Sequence, residues 1–256
     1  MSEIMVDRVS KIFATAQKRT VALNDTTLTI AANETVCIVG PSGCGKTTLL
    51  NLIAGFVQPT AGEIRVGGST VTGPGADRAV VFQSDAVFPW LTVADNVAYG
   101  MRMQGVPGAE RRTRVDHYLA LVGLTDFRKA YPKELSGGMR KRVDLARAYA
   151  SGPSVLLLDE PFGALDVFTK EAMWLALAGV VAAEPKTSVF VTHDIEEALF
   201  LGDRVVVMTP RPARVHSIVD VPFSGQRDLD LRATPEFQTL RNQIARTLRE
   251  VHHDAA

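Results

Sequence analysis

The chain has 256 residues, enough for one large α/β domain or two modest ones. It is 46% hydrophobic and 22% charged, with 28 basic residues against 28 acidic ones. This balance excludes general disorder and leaves no electrostatic footprint for sequence-independent nucleic-acid binding. Two cysteines, Cys37 and Cys44, cannot build a disulfide framework, and the first residues carry no apolar leader of signal-peptide length.

Short alternating segments at Ile4–Val9, Thr26–Ile30 and Glu63–Val66 predict antiparallel strands at one side of the domain, with turn formers at Asn24-Asp25 and Gly67-Gly68. Interleaved with them are apolar runs of the buried parallel type at Thr35–Val39, Ala79–Phe82, Val155–Leu158, Ser188–Val191 and Arg204–Met208. Helical patterns separate several of these runs, which predicts βαβ crossovers and a covered parallel sheet. From about residue 93 to 150 strand signals cease. Pro107, the cluster Arg111, Arg112 and Arg114, and amphipathic spacing predict a small helical subdomain inserted between core strands. The apolar run Ala172–Ala183 falls short of the roughly 18 residues that span a bilayer, so a soluble chain is expected. In the tail, Leu240, Ile244, Leu248 and Val251 recur about four apart and predict a helical packing appendage. The expected organisation is therefore 1–225 as the main domain and 226–256 as a C-terminal helical extension.

Gly40-Pro41-Ser42-Gly43-Cys44-Gly45-Lys46-Thr47 fits G-x-x-x-x-G-K-[ST], directly after the strand TVCIV and before the helical Thr48-Leu49-Leu50. Glycines let successive backbone N–H groups turn inward on a polyphosphate, and the helix behind contributes its positive end. Lys46 supplies a mobile charge for the outer phosphates. The hydroxyl of Thr47 suits Mg²⁺, which keeps most of its shell as water and phosphate. Cys44 reads as the occupant of an unconstrained position rather than a redox thiol. Further along, Val155–Leu158 ends in Asp159-Glu160. Side chains alternate along a strand, so the two carboxylates diverge: Asp159 is suited to the metal shell, Glu160 to orienting or deprotonating a water. Leu135-Ser136-Gly137-Gly138 supplies a second anion site, with Ser136 as helix cap and glycines leaving the first-turn amides open. Met139, Val143, Ala146 and Ala150 lie on one face of the helix behind it.

Leu135 to Arg142 resembles the LSGGQ-type signature of ABC ATPases, and the motifs arrive in that family's order along nearly the whole chain. The resemblance implies an α/β P-loop NTPase with a RecA-like parallel-sheet core, an N-terminal antiparallel β subdomain and an inserted helical subdomain. It implies ATP and Mg²⁺ as ligands. Phe13 falls where the family stacks an aromatic on adenine, Gln83 where it has the Q-loop glutamine that meets Mg²⁺ and the lytic water, and Gly163-Ala164-Leu165-Asp166 where it has the D-loop. His193 matches the switch histidine beside the γ-phosphate, although Asp194-x-x-Glu197 also reads as plain helix capping. Gly40 to Thr48 with Ser136, Gly137, Gly138 and Asp166 would then bind nucleotide, Thr47, Gln83 and Asp159 the metal, and Glu160, His193 and Gln83 would serve hydrolysis. Two departures stand out: Thr47 replaces the common Ser, and Lys141 replaces the usual Gln, placing a long cation near the composite site.

Gly73–Arg78, Phe88-Pro89-Trp90-Leu91-Thr92-Val93 and Arg211–Val215 are similar to ATPase subunits of nitrate, sulfonate and taurine importers. The implied partners are a second copy of the chain in an ATP sandwich, an integral membrane permease docked near Phe88 and Trp90, and indirectly an extracytoplasmic solute-binding protein. The implied place is the cytoplasmic face of the inner membrane. A soluble ABC ATPase acting on nucleic acid or in cluster assembly is the alternative, against which stand the missing tandem cassette and basic stripe. Against a regulatory nucleotide binder without turnover stands the complete set of Gln83, Glu160 and His193, and a small-molecule kinase would leave the LSGG turn and His193 without a task.

Overall fold

Alternation of buried and exposed residues drives the first two strands into a long antiparallel hairpin, β1 (Ile4–Ala14) and β2 (Arg19–Ile30). This comes from a computed structural model that describes residues 2–15, 18–84, 86–163, 165–223 and 227–253. Asn24-Asp25 does not end a strand as its composition suggests. Asp25 takes φ 50° and Arg8 φ 46°, and the pairing shifts register there, so the turn formers are absorbed as a bulge inside β2. The chain continues through β3 (Thr35–Val39), α1 (Lys46–Ala54), β4 (Ala61–Val66), β5 (Ser69–Thr70) and β6 (Arg78–Val81). Strands β2-β1-β4-β5 form one antiparallel sheet.

Next come α2 (Val93–Met103), α3 (Gly108–Leu121) and α4 (Gly137–Ala150), with single 3₁₀ turns between the last two. Thr92 caps α2 by accepting from the Asp95 N–H at 3.1 Å. The remaining elements are β7 (Val155–Asp159), α5 (Val167–Ala183), β8 (Thr187–Val191), α6 (Ile195–Leu201), β9 (Arg204–Met208), β10 (Val215–Asp220), a 3₁₀ helix (Leu229–Ala233) and α7 (Pro235–His253). The second sheet has the order β10-β9-β3-β8-β7-β6. Its β9, β3, β8, β7 and β6 run parallel, and β10 returns antiparallel to β9. β3 and β8 are buried throughout, which explains their apolar runs Val36–Val39 and Val189–Val191, with buried Thr35, Thr187 and Ser188 at the strand starts. β10 escaped the sequence reading because it is a half-buried edge strand with no such run.

Helix α7 packs on α6 and β9, burying Phe237, Ile244 and Val251, and Phe237 stacks on Phe223 with centroids 5.7 Å apart. The proposed boundary at 225/226 lies outside the described residues. Among the described residues no helix is long and apolar enough to cross a membrane.

Parallel neighbours β3, β8, β7 and β6 bring their carboxyl ends to one edge. Register pairs Ile38 with Val191, Asp159 with Val191, and Val81 with Leu158. In open α/β sheets that edge is where ligands bind, because loops and helix N-termini converge there.

Candidate active site

The phosphate loop sits between β3 and α1. Gly43 and Gly45 have φ 71° and 133°, conformations that L side chains rarely adopt, and a Cβ at Gly45 would come within 3.0 Å of the Ala22 carbonyl. Ser42, Gly43 and Thr47 are exposed, Pro41, Gly45 and Thr48 half-buried, Gly40 buried. Cys44 is buried, with its sulfur 3.1 Å from where a Gly40 Cβ would stand, so it fills space beneath the loop. The buried Lys46 ammonium donates to the carbonyls of Gly40 (2.8 Å) and Pro41 (3.1 Å), and stays within its own loop. Arg211, noted in sequence only as part of a subgroup ending, reaches the same loop and donates to the Gly43 carbonyl at 2.5 Å.

At the end of β7 the Asp159 carboxylate accepts from the Thr47 hydroxyl at 3.1 Å. Burial raises the pKa of Asp159, and the neighbouring Glu160 adds to this, while Thr47 and Lys46 oppose it. A desolvated carboxylate beside a hydroxyl is an oxygen-donor pair of the kind Mg²⁺ takes. Among the described residues no cluster of His, Cys, Asp and Glu makes a cage for a metal.

Glu160 turns the other way. It takes φ 42°, a left-handed value uncommon for a residue with a side chain, and its N–H is tied to the Val191 carbonyl at 2.9 Å. This brings its Oε2 to 3.3 Å from His193 Nδ1 and 3.4 Å from Gln83 Nε2. Residues from the ends of β6, β7 and β8 thus meet on one carboxylate oxygen. Gln83 is exposed and His193 is 60% exposed at its side chain, so this edge faces solvent.

Behind His193 lies a buried network that the sequence did not reveal. Asp194 caps α6, accepting from the N–H groups of Glu196 and Glu197, so the bland capping arrangement and the exposed histidine coexist. Lys170 of α5 pairs with Asp194 at 2.6 Å and Glu197 at 3.4 Å, and the Thr192 hydroxyl donates to Glu197 at 2.9 Å. Burial pushes the Glu197 carboxyl up to about 7 from 4.5; Lys170 and Thr192 pull it down, and Asp194 pushes it further up. A folded-state value above the unfolded one favours folding fully below pH 4.5, and this contribution is lost as pH rises through about 7. Glu197→Gln is therefore expected to melt higher than the parent at about pH 8, by up to about 3 kcal/mol in stability, with the gap closing near pH 5. A gap independent of pH in thermal melts would contradict this.

Ser136 is exposed and caps α4, its hydroxyl accepting from the Met139 N–H at 3.3 Å. Gly137 is half-buried, and a Cβ there would lie 3.7 Å from the Arg140 guanidinium. Gly138 is buried, and a Cβ there would strike the Thr169 methyl at 2.5 Å, so this glycine also permits close packing of α4 on α5. Asp166 is exposed and caps α5 by accepting from the Thr169 N–H at 3.0 Å; the adjoining Ala164 lies outside the described residues. Phe13 is 43% exposed with the Lys11 ammonium 5.1 Å above its ring, a surface platform rather than a core side chain. Trp90 is 71% exposed, whereas Phe88 is half-buried against Tyr99 at 4.5 Å. The buried Asn96 clamps that loop through bonds to Phe88, Leu91 and Thr92, a role no local pattern announces.

Lys141, the long cation expected near the composite site, is 2% exposed and donates to the carbonyls of Phe82 (2.6 Å) and of the candidate site residue Gln83 (3.2 Å). The reason is the α4 packing, which turns this face of the helix onto β6.

Known proteins carry the same architecture. A Brucella abortus protein named "Putative ATP-binding protein" is 50% identical over 223 residues, covering 87% of this chain and 86% of that protein. The taurine import ATP-binding protein TauB of Roseobacter denitrificans is 48% identical over 227 residues, covering 87% and 85%. Among solved structures, the ATP-binding cassette MJ0796, dimeric in a post-hydrolysis state with ADP and Pi, matches with a TM-score of 0.73 at 31% identity, over 86% of this chain and 100% of that one. The ABC transporter family profile matches residues 23–163, a span that runs from β2 through the phosphate loop and the Ser136 turn to the Glu160 carboxylate. The chain belongs to the ABC transporter family and is one of its ATP-binding ATPase cassettes.

Proposed function

We propose that this chain powers an importer, hydrolysing ATP to drive uptake of a small anion or related nutrient of the nitrate, sulfonate or taurine type through a separate membrane permease. The meeting of Gln83, Glu160 and His193 on one oxygen beside the phosphate loop carries the reading of turnover. The likeness to TauB supports the importer assignment.

In this reading the loop from Gly40 to Thr48 cradles the phosphates, and Lys46 leaves its own carbonyls for the outer two. Phe13 stacks on the base, worth about 1–3 kcal/mol for such contacts. Thr47 and Asp159, with Gln83, would hold Mg²⁺, which supplies charge neutralisation on the phosphates when bound. Glu160 accepts the proton of the attacking water. Gln83 orients that water, and His193 stabilises the transferred charge. Ser136, Gly137, Gly138 and Asp166 serve the nucleotide of a second copy, so that ATP joins two protomers head to tail and hydrolysis releases them. This is differential binding between two states, which a transport stroke requires. Phe88 and the exposed Trp90 supply an aromatic surface for the permease on the cytoplasmic face, and an external binding protein would deliver the solute.

Co-expression with a neighbouring permease tests the assignment. The expected outcome is a detergent-stable complex lost on Trp90→Ala, with ATP turnover stimulated by the solute-loaded binding protein. A chain that purifies without any membrane subunit and hydrolyses ATP at an unregulated rate would favour the soluble alternative.

A further inference from the structure

The departure at Lys141 has a structural counterpart. From α4 its ammonium bonds the carbonyls of Phe82 and Gln83, at 2.6 and 3.2 Å, while being almost wholly buried. One helical turn and a half later, Arg147 donates to the Ala86 carbonyl at 2.6 Å, pairs with Asp144 at 2.5 Å and lies 5.1 Å over the Phe88 ring. Two cations of the signature helix therefore grip three carbonyls of the segment that follows β6. On its other side that segment is held by Phe82, whose ring stacks on Phe56 at 6.1 Å and 12°. The peptide between these anchors carries the Gln83 side chain that reaches Glu160.

We propose that Lys141 is a positioning residue for hydrolysis: it fixes the backbone that presents Gln83 to Glu160 and joins that glutamine mechanically to the signature helix. The inference rests on the catalytic reading of Gln83 and Glu160 given above. A charged donor makes shorter and roughly twice stronger bonds to carbonyls than a neutral amide, and a glutamine side chain at this position is both shorter and uncharged. Movement of the Ser136 turn toward a nucleotide would then carry Gln83 with it, through a direct side-chain to main-chain link. Arg147 extends the same grip toward Phe88, so the aromatic surface moves with α4 as well.

The test is a double-mutant cycle on steady-state ATP hydrolysis by the full-length protein. Lys141→Met should lower kcat roughly tenfold, the scale of a small misplacement at a reacting centre, and leave KM for ATP within about twofold. Gln83→Ala should lower kcat by a similar factor, and the double variant should fall no further than Gln83→Ala alone. Lys141→Gln, which keeps an amide donor and serves equally if the methionine variant fails to fold, should lie between parent and Lys141→Met. An unchanged kcat in either Lys141 variant, a loss carried by KM, or multiplying losses in the double variant would overturn the proposal. Absence of turnover in the parent protein would instead overturn the catalytic reading of Gln83 and Glu160, and this inference with it.

Discussion

Glu160→Gln is expected to lower steady-state hydrolysis about 10²–10⁴-fold, the span typical of losing a positioned general base. That corresponds to about 3–5 kcal/mol of barrier. The variant should still bind ATP, because Lys46 and the glycine loop are untouched. It should also fold, because glutamine keeps the size of glutamate at φ 42° and leaves the backbone bond to Val191 in place. An amide at this position still faces Gln83 and His193 but cannot take a proton from water. Phosphate release and nucleotide binding measured on the same preparation decide the matter. Phosphate release by the variant at the parent's rate would remove Glu160 from the base role. With turnover blocked, saturating ATP should hold the variant as a dimer in sedimentation.

Mixing two inactive proteins should restore activity. Lys46→Ala removes the ammonium of the phosphate loop, and Ser136→Arg blocks the signature turn; each alone is expected to lose hydrolysis at least about 100-fold. If every nucleotide lies between the loop of one protomer and the Ser136 turn of the other, a hybrid dimer retains one intact site. Random pairing then returns up to about a quarter of the parent rate, since half the dimers are hybrids and each has one working site of two. Were loop and turn of the same chain to serve one nucleotide, no hybrid would contain an intact site and no rate would return.

The parallel strands were legible because a strand covered on both faces carries a short continuous apolar run, as in Val36–Val39 and Val189–Val191. The phosphate loop was legible because its chemistry demands contiguous residues. Asn24-Asp25 misled because a bulge and a turn use the same residue types, and only the pairing of β2 with β1 distinguishes them. Asn96 and Lys170 gave no local sign, and Glu197 gave only that of a helix cap, since their buried partners include atoms that the chain pattern does not place beside them.

Composition and contiguous motifs were sufficient for the α/β class and for family membership, and they pointed to Gly40–Thr47 as the candidate phosphate loop, because backbone conformation and phosphate chemistry act over neighbouring residues. Which groups meet was decided by strand order. Gln83, Glu160 and His193 are far apart along the chain and converge because β6, β7 and β8 are parallel neighbours ending at one edge. Lys141 shows the same limit most plainly. Its sequence position places it beside the signature turn, but a long side chain follows the packing of its helix, and α4 directs this one into the interior against β6.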